Sequence, residues 1–253
     1  MRWTRNPVLL LVATLLVTPM VLTVWLSFAA DSFFSLPVGT WSVRWYQAAW
    51  NDSRWRDSFA RSLVSAGMAG LLCVSLALPA AFALVGKNRR GLLTLMVLPA
   101  CLPPVSWAMG LLPLVGAWPD GPRMAVLVIS QALLGLPVAL LALRLRVDQE
   151  WLDLMRTARG LGASPPQALL RVGLPRLMPA LGAAFLLATT LAFHEPVLCL
   201  FLCPPGQETL PAVAWPTLRS SLTPVVAAVA AVTMVLGLLV AGLMLWLWNT
   251  RRA

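Results

Sequence analysis

The twenty residues Met124 to Leu143, "MAVLVISQALLGLPVALLAL", contain no charged side chain and a single amide, that of Gln131. As a helix rising about 1.5 Å per residue, the run is about 30 Å long, the thickness of a bilayer's hydrocarbon core. A soluble helix would carry a polar stripe along one side, and this run has none. Working outward, five further apolar runs are read as spans: Pro7 to Ala30, Leu63 to Val85, Leu92 to Ala117, Leu177 to Leu202 and Pro224 to Trp248. None alternates with the period of two that a barrel strand requires. Lipid cannot satisfy a free backbone amide or carbonyl, so each run is expected to be helical. The expected fold class is an all-α membrane bundle of six spans.

Composition agrees. Of 253 residues 59% are hydrophobic and 11% charged, against roughly a quarter charged in soluble domains. No soluble domain, low-complexity linker or internal repeat interrupts the pattern, so residues 1–253 are read as one membrane domain. Basic residues near span ends set its orientation. Arg2, Arg5, Lys87, Arg89, Arg90, Arg144, Arg146, Arg156, Arg159, Arg171, Arg176, Arg251 and Arg252 fall on one side, thirteen of the nineteen Lys and Arg. Both termini are therefore expected in the cytoplasm. The net charge of +10 follows from this bias and implies no nucleic acid. The first run follows Arg2 and Arg5 as in a signal peptide, but it exceeds a typical signal core and is read as an uncleaved helix.

The four cysteines, Cys73, Cys101, Cys199 and Cys203, lie in apolar runs. Cys199 and Cys203 share a helix face but have no metal-ligand companions, so all four are read as small packing residues. No G-x-x-x-x-G-K-[ST] phosphate loop is present, so the chain does not hydrolyse ATP unaided. His194 is the only histidine, which rules out most Ser-His or zinc arrangements that need His from this chain. An enzyme is not expected, nor any cofactor. Trp41, Trp45, Trp50 and Trp55 recur every four to five residues in the first outward loop, the spacing of an amphipathic helix that lies at the membrane interface or offers a docking surface to a partner. Prolines interrupt several runs. The third, with Pro99, Pro103, Pro104 and Pro113, is expected to bend or break.

The long connector 144–176 holds the most information. In "VDQEWLDLMRTARGLG", Trp151, Leu154, Met155, Ala158 and Leu161 recur at helical spacing, so a short amphipathic helix is expected, its apolar face offered to a protein partner or to headgroups. Asp148, Glu150 and Asp153 suit its first turns, and Gly160 and Gly162 its end. Ser164 before Pro165 and Pro166 starts a second helix.

Gly162, nine residues, then Val172, Gly173, Leu174 and Pro175 resemble the E-A-A, three residues, G, nine residues, I-x-L-P motif of permease subunits of binding-protein-dependent ABC importers. "FHEPVLCLFLCPPGQETLP", Phe193 to Pro211, is similar to a stretch of the polyamine-type (spermidine/putrescine) permeases. The resemblance covers nearly the whole chain. It implies a MetI-like type I importer fold in the bacterial inner membrane. It also implies a cytoplasmic ABC ATPase dimer, a second permease subunit and a periplasmic substrate-binding protein as partners. In that family the short helix is the coupling helix that docks in an ATPase groove, which assigns coupling to Asp153, Arg156, Thr157, Ala158, Gly162, Ala163, Ser164 and Pro165. The family's Glu-Ala-Ala falls on Arg156, Thr157 and Ala158, so the acid is reversed in charge. Asp153 is placed either to supply that acid or to pair with Arg156. For the path, Glu195, His194 and Gln131 are the candidates, because ionisable or polar groups within apolar runs are costly unless paired or facing water. Glu195 serves equally as a cap where the helix breaks at Pro196. The resemblance leans toward a small organic cation such as a polyamine as substrate. Thiamine, phosphonate or ferric iron on the same machinery, and a self-sufficient secondary transporter, are the alternatives.

Overall fold

The computed structural model describes residues 7–31, 39–85, 89–118, 121–221 and 223–249. Arg2, Arg5, Lys87, Arg251 and Arg252, which carry part of the orientation argument, lie outside them. Among the described residues there is no strand, only one isolated bridge between Ala29 and Trp41. Among the described residues five helices are long and apolar enough to cross a membrane, or six if the bent pair Arg90–Cys101 and Pro104–Ala117 is counted as one span. The chain forms two compact units, Met1–Phe59 with Val213–Ala241, and Ala60–Ala212 with Gly242–Ala253.

The first unit contains α1 (Pro7–Ser27), α2 (Arg44–Asn51), the beginning of α3 (Ser53–Leu84), the later part of α11 (Leu210–Ser221) and most of α12 (Val225–Asn249). Along α1 the hydroxyls of Thr14, Thr18 and Thr23 each donate to the carbonyl four residues back. Polar side chains on an exposed apolar helix are thereby satisfied within the helix itself. The tryptophan-rich segment is not one helix. Trp41 precedes α2, Trp45 and Trp50 lie on it, and Trp55 lies on α3. Asp52 divides them because its carboxylate accepts the Arg54 N–H at 2.8 Å, an N-terminal arrangement that starts a new helix. Trp45 Nε1 donates to the Ala29 carbonyl at 2.9 Å, and the hydroxyls of Tyr46 and Ser27 meet at 2.7 Å. These bonds tie α2 to the end of α1.

The second unit holds the rest of α3, α4 (Arg90–Cys101), α5 (Pro104–Ala117), α6 (Arg123–Arg144), α7 (Gln149–Gly160), α8 (Pro165–Ala168), a π-helical turn at Leu169–Gly173, α9 (Leu174–Phe193) and α10 (Val197–Leu202). The pairing of α6 with α9 is its most extensive. Ala180, Ala184, Ala188 and Ala192 repeat every four residues along α9 and are all buried. A Cβ on Gly135 of α6 would sit 3.5 Å from both the Ala188 Cβ and the Cys73 Sγ. Lipid is as apolar as a leucine side chain, so helices in it associate through close packing of small residues rather than by hydrophobic exclusion.

The third apolar run breaks as expected. α4 and α5 meet at 91° across Leu102 and Pro103, with Leu102 extended (φ −89°, ψ 134°). Pro103 pushes its predecessor out of the helical region, and Pro103 and Pro104 each lack a donor. The fifth run is also divided, since α9 stops at Phe193 and α10 begins at Val197. α10 contributes Leu198, Cys199 and Leu202 to a buried cluster with Ala108, Val115, Leu127 and Ala212. Tightness within this unit is greatest at Gly70 on α3, where an added Cβ would strike Thr189 Oγ1 and come within 3.2 Å of the Phe185 ring. Gly70→Ala is predicted to destabilise the folded protein by about 1–3 kcal/mol through overpacking. Thermal unfolding in detergent measures this; an unchanged midpoint would contradict the close approach.

Candidate functional site

The connector between α6 and α9 is held in one conformation by a series of local devices. Asp148 Oδ1 accepts the Trp151 N–H at 2.9 Å and caps α7. Trp151 is the anchor: it is buried, its ring centroid lies 4.9 Å from that of Phe82 on α3, and its Nε1 donates to the Gly173 carbonyl at 3.3 Å. Gly173 lets the helices approach closely there, because a Cβ would lie 2.8 Å from Met155 Sδ and 3.0 Å from the Trp151 ring, so that both side chains would have to shift.

At the other end α7 stops in a Schellman arrangement. Ala163 N–H reaches the Ala158 carbonyl at 3.1 Å and Gly162 N–H the Arg159 carbonyl at 3.0 Å. The motif needs a left-handed residue, and Gly162 supplies it with φ +91°. Gly160 remains the last residue of the helix, so only one of the two expected glycines makes the turn. Ser164 then opens α8 in extended conformation, its N–H donating to Gln167 Oε1 at 3.0 Å, with Pro165 at the first helical position. A π-helical turn follows because Pro175 has no N–H for the Arg171 carbonyl. The Leu174 N–H reaches back five residues to Leu169 instead, and the helix shifts register around the missing donor.

Asp153, Arg156, Thr157, Ala158, Gly162, Ala163, Ser164 and Pro165 therefore lie together on α7, its turn and the first residue of α8. Arg156 Nη1 and Asp153 Oδ1 pair at 2.7 Å. The Thr157 hydroxyl donates to the Asp153 carbonyl at 2.9 Å. Arg176 pairs with Glu150 at 3.2 Å, fastening the start of α9 to the start of α7. One expectation changes. The apolar face of α7 is turned inward rather than outward, since Trp151 is buried and Leu154, Met155 and Ala158 are partly covered. Leu161 alone of that set is open, at 85% exposure. What α7 offers outward is Asp153, Arg156, Thr157 and Arg159, followed by Leu161 and the turn.

The three path candidates gather at the α9–α10 break. Pro196 cannot donate to the carbonyl of Ala192 four residues earlier. Gln131 Nε2, from α6, donates to that carbonyl at 3.1 Å. Glu195 caps α10 with both oxygens, Oε1 accepting the Val197 N–H and Oε2 the Leu198 N–H, each at 2.8 Å. His194 is exposed, with Nδ1 2.9 Å from the Thr190 carbonyl, and its ring meets the edge of Phe193. The break's backbone groups thus find partners and its half-buried carboxylate is held by two amides, while Gln131 Oε1 stays buried without a hydrogen-bond partner among the described residues. Sequence reasoning missed the Gln131–Ala192 bond, although a buried amide on α6 and a proline four residues after a carbonyl were both visible. It also missed Ser62 and Arg61 of α3. The Ser62 hydroxyl accepts the Leu210 N–H at 2.7 Å and Arg61 Nε donates to the Glu208 carbonyl at 3.1 Å. No sequence signal linked those positions.

Residues 73–252 match the family model described as binding-protein-dependent transport system inner membrane component. The putrescine transport system permease protein PotI of Escherichia coli strain K12 is 28% identical over 96% of this chain and 89% of its own length. The spermidine/putrescine transport system permease protein PotC of the same strain is 33% identical over 34% of this chain and 32% of its own. A crystal structure of a bacterial ABC transporter involved in import of the acidic polysaccharide alginate superposes with a TM-score of 0.60 at 15% identity, covering 93% of this chain and 92% of that one, and so shares the fold. With most of its length inside the family model and its described residues folded as apolar helices, the chain belongs to the binding-protein-dependent transport inner membrane components: it is a MetI-like, multi-pass permease subunit of an ABC importer, not an enzyme.

Proposed function

We propose that this permease subunit pairs with a second, different permease chain to form a translocation path, and that residues 144–176 couple the path to a dimer of cytoplasmic ABC ATPases. The substrate arrives on a periplasmic binding protein. Residues 1–253 act as one permease domain with both termini in the cytoplasm, following the basic residues that flank its spans.

The observation that carries this reading is the construction of the connector. An exposed helix is anchored through Trp151, stopped at Gly162 and restarted at Ser164, with an ion pair from Glu150 to Arg176 beside the base of α9. A segment built this rigidly transmits a push on its outer face to α9. Coupling of nucleotide-driven closure to an alternating path needs such a lever. Its outer face carries Arg156 where the family motif has an acid, neutralised by Asp153. The ATPase groove that receives it is expected to accept this pair rather than a lone carboxylate.

The substrate is proposed to be a small organic cation of the polyamine class. The similarity to PotI, a putrescine permease, and PotC, a spermidine/putrescine permease, supports this, as does the carboxylate of Glu195 held at the α9–α10 break with Gln131 and His194 nearby. Thiamine, phosphonate or ferric iron is the competing substrate reading, and the binding protein is expected to make most of that choice.

The decisive experiment purifies the complex and measures ATP hydrolysis with candidate ligands delivered by the binding protein. Stimulation by a polyamine supports the reading, while absence of any bound ATPase contradicts it. Gly162→Val places a β-branched residue at φ +91°, strained by roughly 1–2 kcal/mol, and is expected to lose co-purifying ATPase. Arg156→Glu is expected to depress ligand-stimulated hydrolysis, and unchanged hydrolysis would mean that the position is merely solvated. Glu195→Gln is expected to raise the KM for a cationic substrate on the order of fivefold, the effect of about 1 kcal/mol from one charge at close range. An unchanged KM with lowered stability would leave Glu195 only its capping role.

A further inference from the structure

Cys199 and Cys203 stand one turn apart at the end of α10, and their Sγ atoms are 2.8 Å from each other. That separation is shorter than the 3.5–4.0 Å at which carbon atoms pack. It is too short for a bridging metal, since two thiolate–zinc bonds of about 2.3 Å in tetrahedral geometry hold the sulfurs further apart. No group of three or more His, Cys, Asp or Glu able to hold a metal occurs among the described residues. Four residues of helix put the Cα atoms about 6 Å apart, inside the range that a disulfide spans. The helix also yields there, because Cys203 is the C-cap, with extended backbone at φ −81° and ψ 142°. Cys199 is buried and Cys203 partly open.

We propose that Cys199 and Cys203 form a dithiol–disulfide site, oxidised by exchange with a disulfide reagent. Cys203, the more open sulfur, loses its proton and attacks the incoming disulfide, expelling one thiolate and leaving a mixed disulfide on Cys203. Cys199 then loses its proton, attacks Cys203 Sγ and releases the second thiolate. Two protons and two electrons leave the pair, one S–S bond forms, and the incoming disulfide is reduced to two thiols.

The site is built into a larger clasp. Cys199 Sγ accepts the Thr209 N–H at 3.1 Å, while Arg61 and Ser62 hold Glu208 and Leu210. A bridge would lock the end of α10 above the loop 203–209 that α3 already grips. The orientation proposed above places this loop on the outward face, where oxidised thiols persist, and that part of the inference rests on it. Cys73 is buried and Cys101 exposed, and neither has a second thiol bonded to it.

The test treats the purified complex in detergent with oxidised glutathione, quenches with acid, alkylates under denaturing conditions and reads the peptides by mass spectrometry. The expected result is a Cys199–Cys203 peptide that loses both alkyl groups, carries no glutathione and regains both on reduction. Two alkylated cysteines, or two separate glutathione adducts, would overturn the proposal. In Cys199→Ser the resolving thiol is gone, so Cys203 is expected to retain glutathione; an unmodified Cys203 would overturn the order of attack. Detergent opens both faces to the reagent, so this outcome is independent of orientation. Thiols alkylated in the same way directly from membranes report orientation separately: a bridge that forms in detergent yet is absent in membranes would contradict the outward placement, not the site.

Discussion

A backbone carbonyl freed inside a lipid-embedded helix must find a donor within the protein, and the second unit is organised around that requirement. Pro196 withholds the usual helical donor from the Ala192 carbonyl, which accepts instead from the Gln131 side chain of α6 at 3.1 Å and from the Glu195 N–H at 3.4 Å. Glu195 satisfies the first amides of α10 in turn. A break that would be prohibitive in hydrocarbon becomes a fixed joint. Around it the small faces of α6 and α9 close on each other at Gly135 and Ala188. Pro175 creates the same problem at the other end of α9 and receives a different solution, a π-helical turn with a shifted register. Both ends of α9 are thereby set by prolines, one beside the connector and one beside the candidate path.

The connector follows the logic of soluble proteins. An N-cap, a buried tryptophan, a Schellman turn and a restarted helix fix its shape. The surface ion pair between Asp153 and Arg156 is worth little energy by itself. Its consequence is the charge pattern it presents, which is dipolar where the family motif carries a single acid.

The all-helical fold was legible because apolar run length in a bilayer leaves little choice, and Met124 to Leu143 alone decided it. The Gly162 turn and the Ser164 start were legible because the required backbone geometry favours few residue types. What could not be read depended on which groups the folded chain brings into contact. Trp151 reads as one more apolar position until Phe82 and the Gly173 carbonyl are beside it, which is why the apolar face of α7 was expected outside. The tryptophans of the first loop fit one helical period, yet Asp52 splits them by capping α3. Cys199 and Cys203 read as packing residues because helical spacing states only that they share a face, not that their sulfurs touch.

The central claim is that α7 and its turn are the surface that the ATPase grips. Hydrogen–deuterium exchange on the purified complex, with the ATPase retained or stripped, tests it most directly. The account predicts that amides of residues 149–168 gain protection when the ATPase is bound, while those of 44–51 on α2 do not change. Equal exchange at 149–168 in both samples, with the ATPase demonstrably bound, would contradict it.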